Sequence, residues 1–113
     1  MKCVVEKNQL ELVSSVEIAR HLLKRMKGLM FRPHLPHTHA LLLEPCPQVH
    51  TCFMRFAIDV VFLDKDNVLV GIVENMPPWR MSPLYLNARY TLEVKGGYLK
   101  GGVKPGQQLA LEN

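Results

Sequence analysis

Short apolar runs alternate with polar turn residues along much of the chain, which is the pattern of paired β-strands. Residues 3–5 and 10–13 are two such runs separated by polar residues, and they predict a hairpin. Residues 58–63 and 68–73 lie on either side of the turn formers 64–67 and predict a second antiparallel hairpin. Both hairpins are predictions from local sequence alone.

The spacing of apolar residues changes after the first hairpin. Ser14 and Glu17 have the spacing of a helix capping box, and Gly28 suits the left-handed residue that ends a helix. Between them, apolar residues recur at three- and four-residue steps and fall on one helical face: Ile18, Ala19, Leu22, Leu23 and Met26. This spacing predicts one amphipathic helix over about residues 15–27.

Prolines interrupt the chain after the predicted helix. They break up residues 31–47, so only 40–44 is predicted as a strand there, and they make 76–87 an irregular loop. The remaining predicted strands cover residues 49–54, 90–94 and 108–111. With prominent hairpins and no alternating strand-helix units, the pattern favours an α+β fold with a mostly antiparallel, partly barrel-like sheet and one main helix.

Composition supports one globular domain, residues 1–113. Hydrophobic residues make up 48% and charged residues 21%, and no apolar run approaches the roughly 20 residues that cross a bilayer. The first twelve residues lack the apolar stretch of a secretion signal. Three cysteines, Cys3, Cys46 and Cys52, are too few for a disulfide framework and indicate free thiols. We therefore predict a cytoplasmic protein without membrane insertion.

Three segments, in this order and spacing, resemble the family called domain of unknown function 192 (DUF192). They are Arg25-Met26-Lys27-Gly28-Leu29-Met30, then Phe53-Met54 leading to Ile58-Asp59-Val60-Val61-Phe62-Leu63-Asp64, then Leu92-Glu93-Val94-Lys95-Gly96-Gly97. The resemblance implies a compact α+β domain with a partly barrel-like sheet and one helix, and no established activity. Many members look exported or anchored, whereas this chain begins almost at its first strand, which favours a cytoplasmic form.

One set of residues suggests enzyme chemistry. On a strand, His50, Cys52 and Met54 would share a face, and a histidine beside a thiol can stabilise the nucleophilic thiolate. With Asp59 they would form a small hydrolytic or thiol-dependent site. The alternative is a buried cysteine beside a strand histidine, with Asp59 in an ion pair with Arg25 or Arg55 that orients residues 28–30. The sequence has no nucleophile elbow, phosphate loop or zinc-protease helix, and the alternative is favoured.

Metal and nucleic-acid binding are weaker hypotheses. Soft and borderline metal ligands occur in the middle of the chain, but without the paired Cys-x-x-Cys spacing of a zinc site, so no metal and no cofactor are predicted: Cys46, His50, Cys52, His34, His37 and His39. A basic run without an intervening acid is typical of a solvated helix face, so specific nucleic-acid binding is disfavoured: Arg20, Lys24, Arg25, Lys27 and Arg32.

The favoured hypothesis is a small, non-enzymatic binding or accessory domain with an unknown protein or small-molecule partner. Its predicted contact regions are residues 28–32, 50–59 and 76–83. The last contains Met76, Trp79 and Pro83 in an apolar, proline-stiffened loop, and such residues are enriched at interface cores. The predicted binding residues are Arg25, Met30, Met54, Arg55, Asp59 and Trp79. The alternative for the loop is that it folds down over the end of the sheet.

Overall fold

The computed structural model describes residues 2–5, 10–19, 34–36, 38–44, 48–100 and 102–112. Its strands are β1 (Lys2–Val5), β2 (Leu10–Val13), β3 (Ser15–Ala19), β4 (His39–Leu43), β5 (Ile58–Leu63), β6 (Leu69–Met76), β7 (Tyr90–Lys95) and β8 (Leu109–Glu112). They form a three-stranded sheet in the order β2-β1-β8 and a five-stranded sheet in the order β3-β4-β7-β5-β6.

The predicted fold class was wrong, because the described residues contain strands and no helix. Their pairings are antiparallel except between β3 and β4, so the larger sheet is mixed. The partly barrel-like sheet is replaced by two sheets. An isolated bridge between Val68 and Gln108 links them, together with a hydrogen bond from the Leu69 amide to the Gln107 carbonyl. The described residues include no helix with the length and hydrophobicity of a membrane span.

The error in the helix prediction begins at Ser15. Residues 15–19 form β3, which pairs in parallel with β4, while residues 20–27 of the predicted helix lie outside the described residues. Ser14 does not cap a helix here: its amide and hydroxyl both donate to the Thr38 carbonyl, which fixes the start of the strand pair. Val16 and Ile18 alternate with Glu17 and pack against the core as a strand requires.

Both predicted hairpins are confirmed. β1 pairs antiparallel with β2, and β5 pairs antiparallel with β6. In the second hairpin, Asp64 organises the turn, because its Oδ1 accepts the amides of Asp66 at 2.8 Å and Val68 at 3.0 Å. The predicted strands at 40–44, 90–94 and 108–111 are observed as β4, β7 and β8 with ends shifted by a residue. Local pattern and turn chemistry suffice for these elements.

The strand β5 is buried on both faces of the five-stranded sheet. Every residue of β5 is buried, and its side chains alternate between two apolar clusters. Val61 and Leu63 join Leu42, Leu92 and others on one face. The opposite face carries a second cluster, whose buried members are Leu35, Leu41, Leu43, Val49, Met54, Ile58, Val60, Phe62, Met76 and Ala88. Asp59 is therefore a charged residue within a strand that water does not reach.

The predicted strand at residues 49–54 is wrong. Only His50 pairs in this segment, through an isolated bridge to Met81, and the chain turns at Cys52 and Phe53. Because Phe53 has φ of 63°, strict alternation fails: Met54 is buried although His50 is exposed. The sequence predicts that His50 and Met54 share one face of a strand. In the structure they do not.

Candidate functional site

Two irregular loops lie side by side at one end of the larger sheet. They are residues 48–57, which precede β5, and residues 77–83, the first part of the segment that follows β6. Thr51 joins them and is completely buried. Its amide donates to the Arg80 carbonyl at 2.8 Å, and its carbonyl accepts the Trp79 amide at 3.0 Å. The loops thus behave as one hydrogen-bonded unit.

The Thr51 hydroxyl strengthens the same junction. Oγ1 accepts the Arg80 amide at 2.8 Å and donates to the Pro77 carbonyl at 2.6 Å. A second buried hydroxyl acts alongside it, because Ser82 Oγ accepts the Val49 amide at 3.0 Å and the Ser82 amide donates to the Val49 carbonyl at 2.9 Å. Buried polar groups therefore find partners across the loop pair, which stabilises an otherwise irregular backbone.

The loop pair displays large apolar side chains to solvent. Phe53 is 48% exposed, Trp79 57% and Met81 68%. The Phe53 and Trp79 rings contact edge to face, with centroids 4.6 Å apart and planes at 60°. We call these three side chains the loop-pair surface. The alternative that the loop at 76–83 folds down over the sheet end does not describe Trp79, which is exposed, and Met76 is buried as the last residue of β6.

The backbone under both rings is strained. Phe53 has φ of 63° and Trp79 φ of 64°, in the left-handed region that bulky residues rarely adopt. Such residues cost roughly 1–3 kcal/mol each and persist where the surroundings fix them. Here the fixing contacts are the bonds that Thr51 makes to the backbone of the opposite loop.

Asp59 lies in a different environment. It is completely buried, and both carboxylate oxygens accept backbone amides. Oδ1 accepts Asn75 at 2.7 Å and Gly97 at 3.0 Å, and Oδ2 accepts Leu99 at 2.9 Å. These amides come from a bulge in β6 and from the turn after β7. Asp59 thus holds three parts of the fold together, and backbone amides supply donors that the sequence had led us to expect from Arg25 or Arg55.

Gly96 and Gly97 make that turn possible for two different reasons. A Cβ on Gly96 would lie 2.8 Å from the Ala57 carbonyl oxygen, so only glycine permits this close approach. Gly97 has φ of 81°, which directs its amide towards Asp59 without the strain of a side chain. The motif residues around Asp59 and Gly97, distant in sequence, are therefore one hydrogen-bonded structure.

The proposed catalytic residues do not form a common cleft. His50 is exposed, and its Nδ1 accepts the Cys52 amide at 3.2 Å. Asp59 is buried and already bound by backbone amides, whereas Cys52 is half-buried at the loop turn. Within the part of the chain that the structure describes, no group of three His, Cys, Asp or Glu side chains is placed to hold a metal ion. Of the residues considered as metal ligands, His37 and Cys46 lie outside that part.

Comparison with known proteins identifies the family. The family model DUF192, described as "Uncharacterized ACR", matches residues 3–111. The chain belongs to the DUF192 family. A UPF0127 protein of Pyrococcus horikoshii is 38% identical over 105 residues, covering 90% of each chain, and one of Pyrococcus furiosus is 35% identical over 103 residues, covering 88% of each. The resemblance drawn from the three sequence segments is confirmed.

Solved structures share the DUF192 fold. A protein of unknown function from Novosphingobium aromaticivorans superposes with a TM-score of 0.78 at 25% identity, covering 85% of this chain and 74% of that one. A protein from Sinorhizobium meliloti, with a suggested role in transcription regulation, gives a TM-score of 0.83 at 24% identity, covering 96% and 89%. At this identity the second comparison shows a common fold and does not transfer a role.

The predicted binding residues of this DUF192 chain fall into three groups. Arg25 and Met30, with the rest of residues 28–32, lie outside the described residues. Met54 and Asp59 are buried, so they support the loops and the sheet. Arg55 and Trp79 are exposed on the loop pair. Met81 belongs to the apolar loop at 76–83 that the sequence singled out, whereas Phe53 was missed as a binding residue although it lies within the predicted contact region 50–59.

Proposed function

We propose that this DUF192 chain is a binding domain that docks a protein partner on the loop-pair surface. The observation that carries the proposal is the exposed Phe53–Trp79 ring pair, held on strained backbone by buried hydrogen bonds. Aromatic residues and methionine dominate the energetics of protein interfaces. The two loops that present this surface belong to the regions 50–59 and 76–83 singled out from sequence.

The strain supports docking over a purely structural role. A loop that only closes the end of a sheet gains nothing from two aromatic residues in left-handed backbone with their rings in water. Burying the rings against the sheet would instead remove apolar surface from water, worth about 25 cal/mol per Å². The fold maintains the exposed arrangement through Thr51, and this combination of strain and exposure is typical of ligand clamps.

A protein partner suits the shape of this surface better than a small molecule. Small-molecule sites enclose most of their ligand in a concave, largely apolar pocket. Phe53, Trp79 and Met81 are each about half exposed or more, so these large apolar side chains are presented to solvent rather than lining an enclosed pocket. A complementary groove or apolar anchor on another protein can cover such a patch and exclude water from it.

The rival function is a thiol-dependent or hydrolytic enzyme using Cys52, His50 and Asp59. Its chemistry requires a histidine nitrogen directed at the thiol and a carboxylate that orients the histidine. The His50 Nδ1 is engaged by a backbone amide, and both Asp59 oxygens are engaged by others. These contacts favour the binding proposal.

The proposal is tested by selecting ligands from a random peptide library displayed on phage and measuring their affinity for variants. Trp79→Ala and Phe53→Ala are expected to weaken the selected peptides about 30-fold, since an interface hot spot contributes about 2 kcal/mol. Leu86→Ala is the matched control, because Leu86 is 83% exposed but lies outside the loop-pair surface. Cys52→Ser is expected to bind as the wild type does.

Two results would contradict the proposal. Peptides that bind Trp79→Ala and Phe53→Ala as tightly as the wild type would place binding elsewhere. Equal weakening by Leu86→Ala would indicate nonspecific adhesion to exposed apolar groups. Trp79 is the single tryptophan of the chain, so its fluorescence reports docking directly without a label.

A further inference from the structure

The charge of the two loops is one-sided. Between Glu44 and Asp59, and again between Glu74 and Glu93, the sequence contains no carboxylate side chain and no lysine. The cationic side chains in these stretches, histidine apart, are Arg55, Arg80 and Arg89. The apolar loop-pair surface therefore has arginines in both of its loops and no negative charge within them.

The carboxylates that bound these stretches are withdrawn or engaged. Asp59 is completely buried and bound by backbone amides, and Glu93 is 3% exposed. Glu44 lies 3.9 Å from the guanidinium of Arg89, and Glu74 also has an interaction of its own. Arg89 is thus partly neutralised, whereas Arg55 and Arg80 are both exposed in the loops themselves.

Arg80 directly follows Trp79 in the chain and is exposed. Its Nη1 donates to the Trp79 carbonyl at 3.3 Å, which directs the guanidinium back along the Trp79 segment. A guanidinium has five N–H donors and matches a carboxylate with two parallel hydrogen bonds. The guanidinium donors not used for the Trp79 carbonyl belong to an exposed side chain, where a ligand can reach them.

Resting on the proposed function, we infer that the partner of the loop-pair surface is an acidic peptide segment. An apolar side chain of that segment packs on Phe53 and Trp79, and flanking Asp or Glu side chains pair with Arg55 and Arg80. Charge complementarity of this kind sets specificity and association rate. It also makes binding depend on salt, because the arginines are exposed and screened by ions.

A single-stranded nucleic acid is the other anionic ligand that stacks on aromatic side chains, and the geometry favours the peptide. Strand binders present a positively charged groove with rings on which successive bases stack. Here the Phe53 and Trp79 planes meet at 60°, so they offer no parallel platform for neighbouring bases. The loops also contain no lysine to follow a phosphate backbone.

The test selects peptides on the wild-type protein and then compares their affinity for the wild type with their affinity for charge-reversal variants. We expect the selected peptides to be rich in Asp and Glu next to an apolar anchor. The double variant Arg55→Glu with Arg80→Glu should weaken them at least about tenfold, since these charges face the ligand. Lys65→Glu with Lys104→Glu changes net charge equally at exposed positions outside the two loops and should leave affinity unchanged.

Salt gives a second readout on the unmodified protein. Affinity for the selected peptides should fall steadily as sodium chloride rises from about 50 to about 500 mM, because screening shortens the reach of the exposed charges. Neutral or basic peptides whose binding needs Trp79 but ignores salt would overturn the acidic partner and leave the docking surface intact. Peptides indifferent to Trp79 would overturn the docking surface itself. Tighter, Trp79-dependent binding of a thymidine decamer would overturn the peptide class.

Discussion

Replacing Asp59 with asparagine is the sharpest test of how this fold is held together. The side chain keeps its size and loses one oxygen and the charge. In the native protein, Oδ1 serves the amides of Asn75 and Gly97, and Oδ2 serves the amide of Leu99. The single asparagine oxygen can accept either the amides of Asn75 and Gly97 or the amide of Leu99. Its NH₂ group must then face at least one backbone N–H, and two donors cannot form a hydrogen bond with each other.

The expected loss follows from these contacts. An asparagine side chain oriented with its oxygen towards Asn75 and Gly97 loses one hydrogen bond to a charged group, worth about 1.5–3 kcal/mol, and leaves the buried Leu99 amide unsatisfied at about 1–3 kcal/mol. The neutral side chain costs less to bury than the carboxylate, which offsets part of this loss. We expect Asp59→Asn to lower the free energy of unfolding by about 3 kcal/mol.

Asp64→Asn is the matched control. Asp64 also accepts two backbone amides, but both bind the single oxygen Oδ1, which asparagine retains. We expect a loss below about 1 kcal/mol at this half-buried turn. Urea unfolding, monitored by Trp79 fluorescence, measures the free energy of unfolding of both variants. A loss of about 3 kcal/mol shifts the midpoint by roughly 2 M for a slope near 1.5 kcal/mol per M. Equal losses for the two variants, or a native midpoint for Asp59→Asn, would refute the two-oxygen argument.

Two further predictions concern the loop pair and the glycine turn. Thr51→Val keeps the side-chain shape but removes the hydroxyl between Pro77 and Arg80. We expect it to lower the free energy of unfolding by about 2 kcal/mol and to increase acrylamide quenching of Trp79 fluorescence. Thr51→Ser keeps the hydroxyl and should preserve both properties. Native quenching in Thr51→Val would show that the hydroxyl does not fix the rings. Gly96→Ala should cost about 2 kcal/mol in urea unfolding because its Cβ would meet Ala57 backbone at 2.8 Å, and an unchanged midpoint would contradict that close approach.

The hairpins were predictable from sequence because their determinants are local. In the β5–β6 hairpin, Asp64 and Asn67 supply the turn, and the flanking apolar runs supply the strands. The parallel pairing of β3 with β4 was not predictable in this way. Its two strands are separated by residues 20–38, and the Ser14–Glu17 spacing that suggests a helix cap fits a strand start equally well. Tertiary pairing overrode the local signal at Ser15.

The candidate site was only partly predictable for a related reason. The sequence singled out Trp79 and both loops, because proline-rich apolar segments stand out locally. It did not reveal Thr51, whose role depends on backbone groups of the opposite loop. The sequence also predicted His50, Cys52 and Met54 on one strand face. No local sequence signal indicates that a bulky residue such as Phe53 adopts positive φ.

Family membership and partner choice depend mostly on different parts of this chain, and Phe53 is the one residue of the loop-pair surface that lies in a quoted family segment. The motif residues that the structure describes are mostly buried or set backbone geometry: Ile58 to Leu63 form the interior strand, Asp59 binds three amides, and Gly96 and Gly97 shape the turn. Trp79, Arg80 and Met81 lie outside the quoted motif segments, on exposed loops. Because residues that maintain the fold do not select a ligand, sharing the DUF192 fold does not by itself imply a common partner. The partner of this chain is therefore to be sought through the chemistry of its own loops.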